Sequence, residues 1–302
     1  MTAALDVASN FVMKRSTQIN ALLLLPWLLG LASAALAEPE CNNGRSMNIV
    51  AHEDDDLLFL SPDLIHDIQS GRCVRTVFVT AGQAKHWLRY AKSREKGIRY
   101  AYAYMANANV KSAWTISDAL IPGHRIPIYT LRGHSKISLV FLKLPDGDFG
   151  GDGFKKTSYK SLRKLLAGTI NDITAIDGSN SFNKDDLEST LLKLIKDYRP
   201  DMLRTQDTNS AVLWDHSDHW AVASLVERAH RRYTAPHTFI SYVDYIDLFY
   251  FPNVFDADFD AKEKAFSVYA VHDKEIGCYT CVYNPYFYWL KRQYISNTIT
   301  VR

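Results

Sequence analysis

The stretch "MNIVAHEDDDLLFL", Met47 to Leu60, decides how the chain is read. Met47, Ile49, Val50 and Ala51 make a short, largely apolar run, the composition of a strand buried on both faces. His52, Glu53, Asp54, Asp55 and Asp56 then place one imidazole and four carboxyls side by side, and Leu57 to Leu60 is apolar again. Adjacent acids repel one another and oppose burial unless a cation gathers them.

Three further runs repeat the strand pattern: "VRTVFVTAG" from Val74, "ISLVFLKL" from Ile137 and "DMLRTQ" from Asp201. Stretches long enough for helices separate them, at Leu57–Ser70, Trp87–Asn109, Leu187–Asp197 and His219–Arg232. Short apolar strands alternating with helices predict an α/β fold: a mostly parallel, Rossmann-like sheet in a three-layer α/β/α arrangement. The aromatic stretches "TFISYVDYIDLFYF" from Thr238 and "YNPYFYWLKRQY" from Tyr283 add C-terminal strands and a final layer. Rings at this density would also suit a sugar-stacking platform. Ligands in such sheets bind beyond the carboxyl ends of the strands. His52 to Asp56 stands at one such end, and Asp207 to His219 follows another, so the two clusters are expected to meet at one rim.

The second cluster is "WDHSDHW", Trp214 to Trp220. His216 and His219, spaced i and i+3, share a face if a helix begins here, with Asp215 or Ser217 as its N-cap. One imidazole and one carboxylate from the first cluster, with one imidazole from the second, would hold a divalent ion and leave a position for water. That is the pattern of catalytic zinc, and Fe2+ or Mn2+ also accepts mixed nitrogen and oxygen ligands. Calcium wants six to eight oxygens and has no use for histidine. "KLPDGDFGGDGF", Lys143 to Phe154, reads as a Gly/Asp loop, and Gly168 to Asp186 as a surface loop.

"AHEDDD" followed far downstream by "HSDH" resembles the paired signature of the zinc-dependent de-N-acetylases related to GlcNAc-phosphatidylinositol de-N-acetylase, the LmbE-like or PIG-L family, in which the motifs read A-H-P-D-D-E and H-x-D-H. The likeness extends to "TAG" at Thr80, "SREKGIRYA" at Ser93, "LPDG" at Leu144, "RPDMLRTQD" at Arg199 and "KAFSVYAVHDKE" with His272. Glu53 departs from the family's usual Pro and Asp56 from its Glu. The resemblance implies one Zn2+ per chain held by His52, Asp55 and His219. It implies Asp54 as the general base that takes a proton from the attacking water. His216, oriented by Asp218, would support the oxyanion or protonate the leaving nitrogen, and Arg94 and Asp146 would touch the sugar.

The expected activity is removal of acetyl groups from N-acetylated amino sugars of a secreted glycan or glycoconjugate, an amide hydrolysis. The alternatives are the N-acetylglucosaminylphosphatidylinositol de-N-acetylase of GPI-anchor biosynthesis, an amidase on another N-acyl conjugate, and, in a different class, a non-catalytic carbohydrate-binding protein with a structural metal.

Composition bounds the remaining possibilities. Lys14 and Arg15, then the apolar Ala21–Ala37 ending on Ala35-Leu36-Ala37, form a signal peptide, residues 1–37, with cleavage before Glu38. A signal anchor in the endoplasmic reticulum membrane is the alternative, although the run is short and carries Pro26 and Gly30. Either way the charge flank sends residues 38–302, a single catalytic domain, out of the cytosol. A formal net charge of +2 implies neither nucleic acid nor an anionic membrane as partner, and no obligate protein partner is evident. Cys41 and Cys73 precede adjacent strands and could bridge, leaving Cys278 and Cys281 as a short bridge or a free pair. An oxidising compartment favours disulfides over a zinc or redox reading of that lone pair.

Overall fold

The computed structural model describes residues 39–208 and 214–302. Ten strands run in chain order: β1 (Arg45–Val50), β2 (Cys73–Thr80), β3 (Trp114–Ile121), β4 (His124–Leu131), β5 (Ile137–Leu144), β6 (Ile173–Thr174), β7 (Ser181–Phe182), β8 (Met202–Gln206), β9 (His237–Tyr242) and β10 (Ile295–Val301). Eight α-helices accompany them: α1 (Asp55–Phe59), α2 (Asp63–Gln69), α3 (Leu88–Met105), α4 (Leu162–Leu166), α5 (Lys184–Tyr198), α6 (Ser217–Arg231), α7 (Asp256–Ala270) and α8 (Pro285–Trp289). The main sheet has eight strands in the order β10-β9-β8-β1-β2-β5-β4-β3. Its centre, β9-β8-β1-β2-β5, is parallel throughout, and the outer strands β10, β4 and β3 are antiparallel.

This is the three-layer α/β fold expected. Alternate residues of β1 feed opposite faces, which is why the strand is apolar almost throughout. Met47 and Ile49 join the core under α5 and α6, while Val50 joins the core under α1, α2, α3 and α7. Ile49 faces Val77 of β2 on one side and Thr205 of β8 on the other, so β1 is central and its carboxyl end lies mid-rim.

The structure departs from the sequence reading in four places. The helix expected over Leu57–Ser70 is two: α1 starts at Asp55, inside the acidic cluster, and Pro62 separates it from α2, because a proline ring cannot continue a helix interior. The strand expected to run through Phe251 stops at Tyr242, after which Tyr245–Phe249 forms a 3-10 turn that brings Tyr245 against Trp289. The hairpin β3–β4 had no expectation attached to it. The loop from Gly168 contains the small β6–β7 pair and the start of α5.

Both cysteine pairs are bridged, Cys41 to Cys73 and Cys278 to Cys281. The first joins the approach to β1 to the first residue of β2, its neighbour in the sheet. The described residues fall within one compact unit, Glu38–Arg302, and the segment read as a signal peptide lies outside them. Among the described residues, no helix is long and apolar enough to cross a membrane.

Candidate metal centre and active site

His52 leaves the end of β1, and Asp54 and Asp55 start α1 immediately after it. His216 is the N-cap of α6, its Nδ1 accepting from the Asp218 backbone N–H at 3.2 Å, and His219 sits in the first helical turn. The histidine thus fills the capping position expected of Asp215 or Ser217. The two clusters, more than 150 residues apart in sequence, meet at the rim: His219 Nε2 lies 3.3 Å from His52 Nδ1. Asp55 closes a triangle, its Oδ1 at 3.1 Å from His219 Nε2 and its Oδ2 at 3.5 Å from His52 Nδ1.

Each imidazole is held from behind by a carboxylate. His219 Nδ1 pairs with Asp215 Oδ1 at 2.7 Å, and His52 Nε2 with Asp218 Oδ2 at 3.3 Å. With those outer nitrogens protonated and donating, the inner Nε2 of His219 and Nδ1 of His52 keep their lone pairs free toward Asp55. Such carboxylate–histidine pairs set the tautomer that a metal ligand needs. A tetrahedral zinc with bonds of about 2.0–2.2 Å separates its ligand atoms by roughly 3.3–3.5 Å, close to the triangle's edges. The donor set therefore fits a divalent ion. Donor atoms of His52, His216 and His219 also gather within 4.8 Å, as do those of Asp215, His219 and Asp244. A further group is His52, Asp146, His216 and Asp218; the trio with Asp55 leaves each outer imidazole nitrogen to its carboxylate.

Carboxyls crowd this point, and burial pushes those of Glu53 and Asp244 up. Glu53, Asp54, Asp55, Asp146, Asp218 and Asp244 are all buried, and among the described residues neither carboxyl oxygen of Asp244 has a hydrogen-bond partner. Burial alone would raise the Asp55 carboxyl, but His219 and His52 outweigh it and hold it well below the usual range. Buried carboxylates that stay ionised, as Asp55 and Asp146 do, need positive charge beside them.

Asp54 turns away from Asp55. Its Oδ1 accepts from Arg94 Nη2 at 2.5 Å, and burial pushes its carboxyl up to about 6 against the pull of that guanidinium. Arg94 is 7% exposed, which decides how much of it a ligand could touch. Its Nη1 donates to the Gly82 carbonyl at 2.7 Å, its Nε to Tyr269 at 2.6 Å, and Asp273 stands 3.0 Å from Nε. A sugar contact through Arg94 would have to displace one of these partners, and its evident work is to hold Asp54.

Asp146 stands at the His216 ring where Asp218 was expected, and the Asp218 carboxylate faces His52 instead. Asp218 accepts from the Gly147 N–H at 2.9 Å and serves His52. Asp146 faces His216, with Oδ1 3.5 Å from Nε2, and is itself held by the Ala84 N–H at 3.1 Å and the Asp148 N–H at 2.9 Å. Burial and the nearby His52 push the His216 imidazole down to about 4. It is therefore neutral at pH 7, with Nε2–H available as a donor. Gly147 permits the Asp218 contact: a Cβ there would lie 2.6 Å from Asp218 Oδ1.

Residues 47–230 match the family model described as PIG-L: GlcNAc-PI de-N-acetylase. The chain belongs to the PIG-L family. Among solved structures, it is similar to the N,N'-diacetylchitobiose deacetylase from Pyrococcus horikoshii complexed with its inhibitor MPG, at 12% identity and TM-score 0.50 over 86% of each chain. The antimicrobial reagent A40926 pseudoaglycone deacetylase Dbv21 is 14% identical with TM-score 0.48, over 86% of this chain and 98% of that one. The zinc-inhibited form of teicoplanin deacetylase Orf2 is 13% identical with TM-score 0.46, over 81% and 90%. At such identities only the fold is shared evidence, and the first of them carries it. No curated protein matches the sequence.

This PIG-L member replaces two residues of the family's first motif. Asp56 accepts from Tyr102 Oη at 2.5 Å and from the Leu57 N–H at 2.9 Å, so it ties α1 to α3 from beneath the site. Glu53 is buried beside Arg94, 3.7 Å from Nε, and burial pushes its carboxyl up to about 8. Sequence reasoning missed Asp215 as the support of His219, together with Asp244, Tyr245, Tyr269 and Asp273. Asp215 had a signal, since it stands four residues before His219, about one helical turn away, although it precedes the N-cap. The others lie far from either motif and carried none.

Proposed function

We propose that this PIG-L family member is a zinc-type metal-dependent hydrolase of the secretory pathway that removes acetyl groups from N-acetylated amino sugars in extracellular glycans or glycoconjugates. One observation carries the reading: two imidazoles, each backed by a carboxylate, converge with Asp55 on one point, and an unbound carboxylate with its pKa near 6 stands alongside. A structural site would have no use for that extra base. The similarity to a chitobiose deacetylase supports an acetylated sugar as substrate.

His52, Asp55 and His219 would hold the ion. When bound, a divalent ion supplies Lewis acidity, lowering the pKa of water to about 7 and polarising the amide carbonyl. Asp54, fixed by Arg94, accepts the proton of the attacking water, whose oxygen bonds to the acetyl carbon. His216 Nε2–H donates to the oxygen on which charge develops, and its neutral form is the one that can. Breaking the carbon–nitrogen bond releases acetate, and the nitrogen leaves as the sugar's amine after taking up a proton. A positioned base is typically worth about 10²–10⁴-fold, and an oxyanion donor about 10²–10³-fold.

The test is metal content and acetate release of the protein secreted into medium, across monosaccharide, oligosaccharide and glycolipid substrates. We expect one zinc-type ion per chain, an N-terminus at Glu38, and release from sugar substrates that falls by at least about 10²-fold in Asp54→Asn with metal retained. Metal bound without acetate release from any acetylated sugar would overturn the hydrolase in favour of a binding protein.

A further inference from the structure

The loop Gly82–Trp87, which leaves the end of β2, has two sides. On the inner side the Gly82 carbonyl accepts from Arg94 and the Ala84 N–H donates to Asp146. On the outer side lies a second cleft of about 470 Å³, within the range of ligand sites. Its lining includes Arg89, Lys156, Lys274 and His86, with Trp87 and Tyr90 as apolar faces, and no carboxylate among the lining residues. These side chains come from three separate segments: the start of α3, the 3-10 turn Lys155–Thr157 and the turn after α7.

The charge of this cleft is unspent. Arg89 and Lys156 are exposed and have no ion pair, hydrogen bond or ring contact among the described residues. Lys274 Nζ donates to His86 Nδ1 at 3.1 Å and stands 5.5 Å from the Tyr90 ring centre. Glu275, just outside, is occupied by His86 Nε2 at 2.6 Å and by Lys85. Cations gathered around a concave surface with no carboxylate in its lining focus a positive potential there. An N-acetylated sugar is neutral and would draw nothing from it. The half-exposed face of Trp87 adds an apolar surface of the kind on which a pyranose ring can lie.

The cleft is also wired to the reaction site. Tyr90 Oη donates to Asp273, which holds Arg94, which holds Asp54. The loop Gly82–Trp87 thus carries both part of the basic cleft's lining and the contacts that hold Arg94 and Asp146.

We propose that this second cleft binds a carboxylate- or sulfate-bearing sugar next to the residue being deacetylated, so that the substrate is an acidic glycan. The proposal rests on the deacetylase reading and narrows it. The experiment is titration calorimetry of the secreted protein with three oligosaccharides of equal length: one of N-acetylglucosamine alone, one alternating with a uronic acid, and one carrying sulfate. At low ionic strength we expect at least one acidic oligomer to bind about ten-fold more tightly than the neutral one, with the ratio shrinking as salt is added. In the double variant Arg89→Ala/Lys156→Ala, which removes two exposed and unpaired side chains, the ratio falls toward one. Lys196→Ala/Arg232→Ala, an equal loss of exposed surface charge elsewhere, keeps it. Preference for uronate or for sulfate names the group recognised. A wild-type ratio near one, or a ratio unchanged in the double variant, overturns the proposal. Selective binding of acidic oligomers with no acetate released would leave this site standing and sink the hydrolase instead.

Discussion

Asp215→Ala tests the metal centre without touching a ligand. His219 is wholly buried, and among the described residues Asp215 Oδ1, at 2.7 Å, is its only close Nδ1 partner; Asp244 Oδ2 is next at 3.8 Å, beyond hydrogen-bond reach. Removing the carboxylate leaves a buried N–H unsatisfied, at a cost of about 1–3 kcal/mol. The ring can avoid that cost by moving its proton to Nε2, which then loses the lone pair aimed at Asp55 and His52. Either route weakens metal binding, and loss of such a support typically costs about 10–100-fold, or roughly 1.4–2.7 kcal/mol. The two magnitudes agree. Competition with a chromogenic chelator gives the zinc Kd, and circular dichroism confirms the fold. Asp215→Asn, which keeps an acceptor oxygen without the charge, should fall between wild type and Asp215→Ala. A folded Asp215→Ala protein with a zinc Kd within about two-fold of wild type would refute the reasoning.

Gly147→Ala would drive a methyl group to 2.6 Å from Asp218 Oδ1 and push that carboxylate off His52; we expect about 1–3 kcal/mol of lost stability and weaker zinc binding, read by thermal melts and the same chelator assay. Lys262 is fully buried, its Nζ donating to the Trp289 and Arg292 carbonyls, and burial pushes it down from 10.5 to about 7. The unfolded chain then holds that proton more tightly, so stability rises between about pH 7 and 10.5; Asp247, pushed up by burial from 3.8 to about 8, works oppositely, so stability falls between about pH 4 and 8. Tm should pass through a minimum near pH 7–8, and Lys262→Met should lose much of the alkaline rise. Replacing Cys41 and Cys73 with Ser opens a bridge of sequence separation 32, and the denatured-chain entropy released is worth about 3–4 kcal/mol, measurable as a lower midpoint in urea.

Much of this protein was readable without coordinates. Strands β1, β2, β5 and β8 are covered on both faces, and that burial forces a composition that shows in the chain itself. The meeting of His52, Asp55 and His219 was legible because their residue types stand out in the chain and strand ends in such sheets share a rim. The hairpin β3–β4 was not legible: β3 is mostly half-exposed or exposed, so its residues obey no single pattern. The placement of Asp146 beside His216 and of Asp218 beside His52, and the inward turn of Arg94, were decided by tertiary structure alone. Residue type and spacing say which groups stand near one another. Where a carboxylate points depends on the helix start, the loop across from it and the small residue that lets it approach, and those come from distant parts of the chain.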